Sequence, residues 1–298
     1  MGLVDGRVAV VTGAGRGIGR AHALAYAAEG ARVVVNDVGA GLDGSGCEAG
    51  PASLVAAEIR AAGGEAVANT DDVADWAGAE RLVSAAVAAF GSLDVLVLNA
   101  GFLRDRMLVN LAEDEWDAVV RVHLKGHFAP LRHAAEYWRA EAKAGRARDA
   151  RVVMTSSGAG LLGSVGQGNY SAAKAGILGL ASVAAAELGR YGVTVNAIAP
   201  AARTRMTEGT FDLAAPASGF DAMAPENVSP LVVWLGSLEA AGVTGRVFEV
   251  DGGRVAVADG WRHGPARDKG SRWEPGELGP VVASLLAAAT SPEPVYGA

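Results

Sequence analysis

The chain has 298 residues, 41 of them glycine; half of all residues are apolar and a fifth are charged. That balance excludes wholesale disorder, and glycine without a three-residue period excludes a collagen-like rod. With 26 basic and 33 acidic residues the net charge is −7, a field that disfavours nucleic acid and anionic membrane surfaces as partners.

No window of about 18 uncharged apolar residues occurs, so no membrane span is expected. The first residues lack the basic and apolar regions of a signal peptide. Cys47 is the only cysteine; no intrachain disulfide can form, and a cytoplasmic location is expected.

Short valine-rich runs at 8–11, 32–37, 66–69, 93–98, 151–155, 194–198 and 247–250 predict seven strands. Most are apolar throughout, the mark of strands covered on both faces. Alanine-rich stretches at 17–29, 51–62, 75–90, 113–141, 172–190 and 229–237 predict helices between them. Pro51 suits a helix start, and Glu113, Asp114 and Glu115 suit the positive end of the helix that follows. This alternation predicts an α/β fold: one Rossmann-type, doubly wound parallel sheet of seven strands with helices on both faces.

Three segments break the rhythm: a glycine-rich insert at 38–50, a loop at 201–227 and a tail at 252–298. Residues 1–253 read as one catalytic domain with 201–227 beside the substrate. Residues 254–298, with Trp261, Trp273 and an apolar run at 281–289, read as an ordered cover on the same domain or on a partner subunit.

The turn after the first strand carries Gly13, Gly17 and Gly19, with Arg16 and Ile18 between them. A helix N-terminus presents unpaired N–H groups and partial positive charge, which suits a pyrophosphate, and glycine lets the backbone approach it. Asp37 ends the second strand, 37 − 19 = 18 residues beyond the last glycine, near the spacing for a carboxylate on adenosine ribose hydroxyls. Asp37 favours NAD by repelling a 2′-phosphate. Arg16 pulls toward NADP, and the carboxylate weighs more.

Tyr170 and Lys174 stand four residues apart on one helix face. An ammonium beside a phenol is expected to lower the phenol's pKa toward useful acid–base chemistry. Ser157 lies 170 − 157 = 13 residues earlier, after the fifth strand. Its hydroxyl suits a donor to a reacting carbonyl oxygen, with Ser156 as a rival.

With these residues in this order, the chain resembles the short-chain dehydrogenase/reductase family from Val8 to about Gly253. The matching segments are 12–19, the Leu-Asn-Ala-Gly at 98–101, Ser157 with the Tyr-Ser-Ala-Ala-Lys at 170–174, Ala199 with Pro200, and the Val-Asp-Gly-Gly at 250–253. The resemblance implies hydride transfer at the nicotinamide C4. Tyr170 would be the general acid/base, Lys174 would hold the nicotinamide ribose and tune Tyr170, and Ser157 would orient the substrate. Asn99, Ala100, Gly101 and Pro200 would line the cofactor, and Asp72 and Val73 would flank the adenine, with Asp71 a substitute for Asp72.

Two positions depart from the family pattern. His123 stands where the family has a helix-kinking asparagine that holds a water beside the lysine; a histidine suits the same relay, or is a buried hydrogen-bonded side chain. Ala201 replaces the glycine that usually follows Pro200. His123 and His127 lack a third ligand at sensible spacing, so no metal is expected.

The segments 33–37, 103–106, 122–126, 166–167, 205–207 and 228–234 look like the dehydrogenase portions of peroxisomal multifunctional enzymes of type 2. That branch implies NAD-dependent oxidation of a (3R)-hydroxyacyl-CoA or a steroid-type hydroxy substrate, and a homodimer or homotetramer paired through the helices at 113–141 and 172–190. The alternatives are an NADPH-dependent 3-oxoacyl reductase and a non-catalytic dinucleotide sensor; intact Ser157, Tyr170 and Lys174 argue against the sensor. Cys47 reads as a bystander, Asp75 as a helix cap, and Trp116 and Trp138 as helix packing. Arg203 and Arg205 suit either a CoA phosphate or solvent.

Overall fold

In the computed structural model, which describes residues 2–41, 44, 46, 50–204, 219–258 and 260–297, each valine-rich run becomes a strand. Cys47 and Arg205 lie outside the described residues. The strands are β1 (Val8–Thr12), β2 (Arg32–Asn36), β3 (Glu65–Asn69), β4 (Val95–Leu98), β5 (Ala150–Thr155), β6 (Val193–Ala201) and β7 (Val247–Asp251). Every neighbouring pair among these seven is parallel. The full sheet runs β3-β2-β1-β4-β5-β6-β7 and ends on an edge strand, Arg254–Ala258.

The eighth strand, β8 (Arg254–Ala258), adds an antiparallel edge to the seven expected strands. It follows from the Asp251-Gly252-Gly253-Arg254 turn, where Gly252 has φ 53° and reverses the chain in two residues. The boundary drawn at 253 therefore falls inside a hairpin. Its valines, Val255 and Val257, stay half-exposed at the sheet edge, so they do not give the buried apolar signature of the other strands.

Because side chains alternate across a strand, the sheet feeds two cores. Ala9 and Val11 pack with Tyr26 of α1 (Gly17–Ala28), Val55 of α2 (Gly50–Ala61) and Val232 of α8 (Ser229–Leu235). Val8 and Val10 pack on the opposite face with Leu82 of α3 (Trp76–Phe90), Leu131 of α5 (Gly126–Lys143) and Ile177 of α7 (Gly168–Leu188). Asp75 caps α3 by accepting from Gly78 N at 2.7 Å. Trp138 is fully buried and donates to the Leu93 carbonyl at 2.8 Å, whereas Trp116 remains partly exposed.

Two differences from the predicted helices shape the site. The helix expected at 113–141 divides into α4 (Glu113–Val120) and α5, joined by a π-helical turn, Arg121–Lys125, that contains His123. α7 begins four residues earlier than the sequence suggests, which places Tyr170 in its first turn. The stretch Gly168–Tyr191 is apolar and long enough to cross a membrane by composition alone. Ile177, Ala181 and Ala184 are instead buried in the core, which accounts for the apolarity.

The connections after β1 and β4 leave in opposite directions along the sheet, which opens a crevice at the carboxyl ends of these strands. The glycine turn, residues 99–101 and the 155–157 segment all gather there. On its own chain the tail packs little. Trp261 is fully exposed, and no residue of α9 (Leu278–Ala288) is buried. The last described residues return to the sheet domain, where Tyr296 forms a parallel bridge with Ser164.

Candidate active site

The glycine turn is shaped by its own protein neighbours as much as by any ligand. A Cβ on Gly13, which has φ 62°, would lie 2.7 Å from Ala100 Cα, and one on Gly19 would lie 2.1 Å from the Gly13 carbonyl oxygen. Asn99 stitches the turn from the other side: its N donates to Thr12 Oγ1 at 2.9 Å and its side-chain amide to the Thr12 carbonyl at 3.1 Å. Ala100 N also reaches Thr12 Oγ1, at 3.2 Å.

No side chain caps the first turn of α1 at Arg16, so the N–H groups following Gly17 and Ile18 face outward as an anion cradle. Asp37 closes this cradle. Its carboxylate accepts from Gly15 N at 2.9 Å and Gly39 N at 2.7 Å. Arg16 reaches back to the Ala40 carbonyl at 3.3 Å. Cradle and carboxylate together fit the pyrophosphate and ribose of a dinucleotide.

At the β3 end, Asp72 accepts from Ala74 N at 2.8 Å and pairs with Arg121, while Asp71 is taken by Arg81 at 2.6 Å. Val73 is buried beside Gly126, which leaves Asp72 as the more exposed member of that pair. Pro200 pairs with Val250 and Ala201 with Asp251. The chain is thus extended at Ala201, a conformation that needs no glycine.

Ser157 caps α6 (Gly158–Leu162), accepting from Ala159 N at 3.2 Å, and its side chain favours the ionised form of the Tyr170 phenol. Ser156 points away and donates to the Lys174 carbonyl at 2.9 Å, so the structure pairs Ser157 with the phenol. Lys174 is almost wholly buried; its Nζ donates to the Thr155 carbonyl at 2.6 Å and lies 5.5 Å from the centre of the Tyr170 ring.

The electrostatics correct one expectation. The sequence reading has the Lys174 ammonium lowering the phenol. Instead burial pushes Tyr170 up to about 12; the Ser157 side chain offsets part of this and the Asp105 charge adds to it. Burial likewise brings Lys174 down to about 7, because an ammonium in this apolar setting loses hydration that one carbonyl does not replace.

His123 is buried edge-on to Tyr170, ring centres 5.1 Å apart at 87°. Its Nε2 lies 2.7 Å from the Phe102 carbonyl oxygen and 3.2 Å from Phe102 N. One turn on, His127 is buried as well. Nδ1 of His123 and Nε2 of His127 have no hydrogen-bond partner among the described residues. Burial, then the charge of Lys174, holds His123 well below its ordinary value and brings His127 to about 3. Among the described residues no group of three His, Cys, Asp or Glu is placed to hold a metal.

Sequence reasoning missed the clamp that fixes Tyr170. Asn169 is fully buried, accepts from Tyr170 N at 2.8 Å, and donates to the Arg104 and Glu115 carbonyls at 3.1 and 3.3 Å. Gln167 donates to Asp105 at 2.9 Å and Arg106 N to the Gly166 carbonyl at 2.8 Å. The segments 103–106 and 166–167 therefore meet in space. An asparagine at a helix start was the available signal. Arg203, for which a phosphate was one option, is paired with Asp221.

Residues 7–213 match the family described as short chain dehydrogenase. Hydroxyacyl-CoA dehydrogenase ChsB1 of Mycobacterium tuberculosis is 47% identical over 291 residues, covering 95% of this chain and 90% of that protein. Peroxisomal multifunctional enzyme type 2 of Mus musculus is 45% identical over 251 residues, 84% of this chain but 32% of that longer protein. A crystal structure of a short chain dehydrogenase from Mycobacterium avium has 66% identity and a TM-score of 0.91, with 100% of both chains covered. The family match over most of the chain, on this sheet and with this glycine turn, makes the chain a member of the short-chain dehydrogenase family, an oxidoreductase that binds NAD or NADP.

Proposed function

We propose that the chain oxidises the secondary alcohol of a 3-hydroxyacyl thioester, of the CoA kind, with NAD as hydride acceptor. The observation that carries the chemistry is the convergence of the Ser157 side chain, the Tyr170 phenol and the buried Lys174 Nζ, which lies 5.5 Å from the centre of the phenol ring, at the crevice. The names of the two curated relatives support the substrate class. Asp37, fixed by two backbone N–H groups, supports NAD because it would repel a 2′-phosphate.

The backbone N–H groups of the α1 turn would hold the pyrophosphate, Asp37 the adenosine ribose and Lys174 the nicotinamide ribose. When bound, the dinucleotide supplies the hydride acceptor, whose oxidised ring is cationic. Ser157 donates to the substrate oxygen and orients it. Tyr170 takes the alcohol proton, for which its phenol, high when buried alone, needs cationic surroundings. His123 packs against the Tyr170 ring and restricts its orientation.

Purified protein with NAD or NADP, run on hydroxyacyl-CoAs and hydroxysteroids and followed by NADH or NADPH absorbance, tests both halves. The expected result is a higher kcat/KM with NAD and turnover of the thioesters. Silence across the panel with demonstrated NAD binding removes the substrate assignment. Half-exposed Phe128 on α5 and Val183 on α7 support a homodimer or homotetramer through these helices; elution at the monomer mass would contradict it.

A further inference from the structure

We propose that Tyr296, carried back to the site by the C-terminal strap, walls the acyl side of the substrate crevice and sets which chain lengths are accepted. The inference rests on the hydroxyacyl reading above and names the group that meets the acyl chain.

The strap reaches this place through its own bonds. After β8 the chain runs outward, and no residue of α9 is buried. Val165 N donates to the Tyr296 carbonyl at 2.9 Å and Tyr296 N to the Gly163 carbonyl at 3.3 Å, making the bridge to Ser164. The ring then lies over Gly158. A Cβ at 158 would sit 3.0 Å from both Cε2 and the hydroxyl oxygen of Tyr296, so the bare backbone there gives the ring its seat.

Gly158 directly follows Ser157, whose side chain acts on the Tyr170 phenol. Tyr296 thus stands one residue from the reacting centre. It is 47% exposed, and Val165 and Val295 beside it are 46% and 42% exposed. Tyr296 lies against Gly158 and Val295 against Gly163, so the strap adds half-exposed apolar side chains to the segment that follows Ser157, which suits an acyl chain and not a charged phosphate. An aromatic ring with a polar tip suits such a boundary.

The test compares wild type, Tyr296→Ala, Tyr296→Phe and a chain ending at Pro294, each with NAD. The substrates are 3-hydroxybutyryl-CoA, 3-hydroxypalmitoyl-CoA, 2-butanol and 2-octanol. Because each buried methylene contributes several-fold, the long-to-short ratio of kcat/KM should fall about tenfold or more in Tyr296→Ala and in the truncated chain. It should hold in Tyr296→Phe, with KM for NAD unchanged throughout. A ratio within about threefold of wild type in both altered chains overturns the proposal, as does an equal loss for short and long substrates with weakened NAD binding. Wild-type turnover of the alcohols but of neither thioester would sink the thioester reading alone, and the alcohol series would then decide the role of the strap.

Discussion

The imidazole of His123 fills the space in which residue 101 would carry a side chain: a Cβ on Gly101 would lie 2.1 Å from His123 Cε1 and 2.7 Å from Nδ1. The cofactor-side loop and the π-turn are therefore fitted to one another, and Tyr170 rests edge-on against the same ring. Gly101→Ala should push the imidazole off its Phe102 contacts and disturb the phenol. A misplacement near 1 Å costs on the order of 10²-fold in turnover. The expected outcome is a kcat loss of that order together with a lowered Tm. Adding His123→Ala should recover Tm by removing the clash, while leaving turnover low.

Replacing Tyr170 by Phe should lower kcat by about 10²–10⁴-fold with NAD affinity largely kept, the usual range for a general acid–base group. Spectrophotometric titration supplies a second check. Because burial raises this phenol to about 12, the difference between wild type and Tyr170→Phe, without ligand, should show no phenolate where ordinary tyrosines ionise. A signal at or below that range would mean that Lys174 lowers the phenol unaided, as the residue spacing alone suggests.

Much of this arrangement is legible in the chain because it is local or periodic. The doubly covered strands announce themselves as valine runs, and Gly13, Gly17 and Gly19 with Asp37 mark the dinucleotide turn before any fold is known. The glycines mislead about cause, however: Gly13 and Gly19 are needed first by Ala100 and by the turn's own carbonyl, contacts between segments far apart in sequence. The choice between Ser156 and Ser157 depends on side-chain direction at the end of β5, which spacing cannot provide. The Asn169 clamp joins α7 to the 104 and 115 carbonyls, partners visible only once three segments meet. Spacing likewise pairs an ammonium with a phenol but carries no information on desolvation, and here desolvation dominates both groups.

Asp37 gives a cofactor prediction. Its carboxylate is pinned by Gly15 N and Gly39 N and so cannot swing aside for a 2′-phosphate. Like charges a few ångströms apart near a protein surface repel by a few kcal/mol. Asp37→Ser should raise the NADP-to-NAD ratio of kcat/KM by about tenfold or more, with part of the change coming from weaker NAD binding through the lost ribose contact. Steady-state kinetics with both dinucleotides measures it; an unchanged ratio would place the discriminating contact elsewhere, with Arg16 the nearest candidate.

Buried histidines make the fold acid-sensitive in a way that one substitution can expose. His22 is fully buried between α1 and α8, with Nδ1 2.9 Å from Ser229 Oγ, and burial brings both His22 and His127 to about 3. The unfolded chain binds these protons near pH 6.5, so it holds more protons than the folded protein between about 6.5 and 3. The histidines leave stability untouched above about 6.5 and reduce it as the pH falls from there toward 3, each by about 1.4 kcal/mol per unit. Lys174, brought down to about 7, works at the other end: its burial costs most below 7, and that cost fades as the pH rises toward the ordinary lysine range. Urea unfolding of wild type and His22→Gln at several pH values between 6.5 and 4 separates the histidine from the carboxylates, which both proteins share. Glutamine keeps a polar partner for Ser229 but binds no proton, so the variant should lose stability with a slope about 1.4 kcal/mol per unit shallower. Parallel slopes would mean that His22 accepts its proton inside the folded protein, through an opening of α8 away from α1.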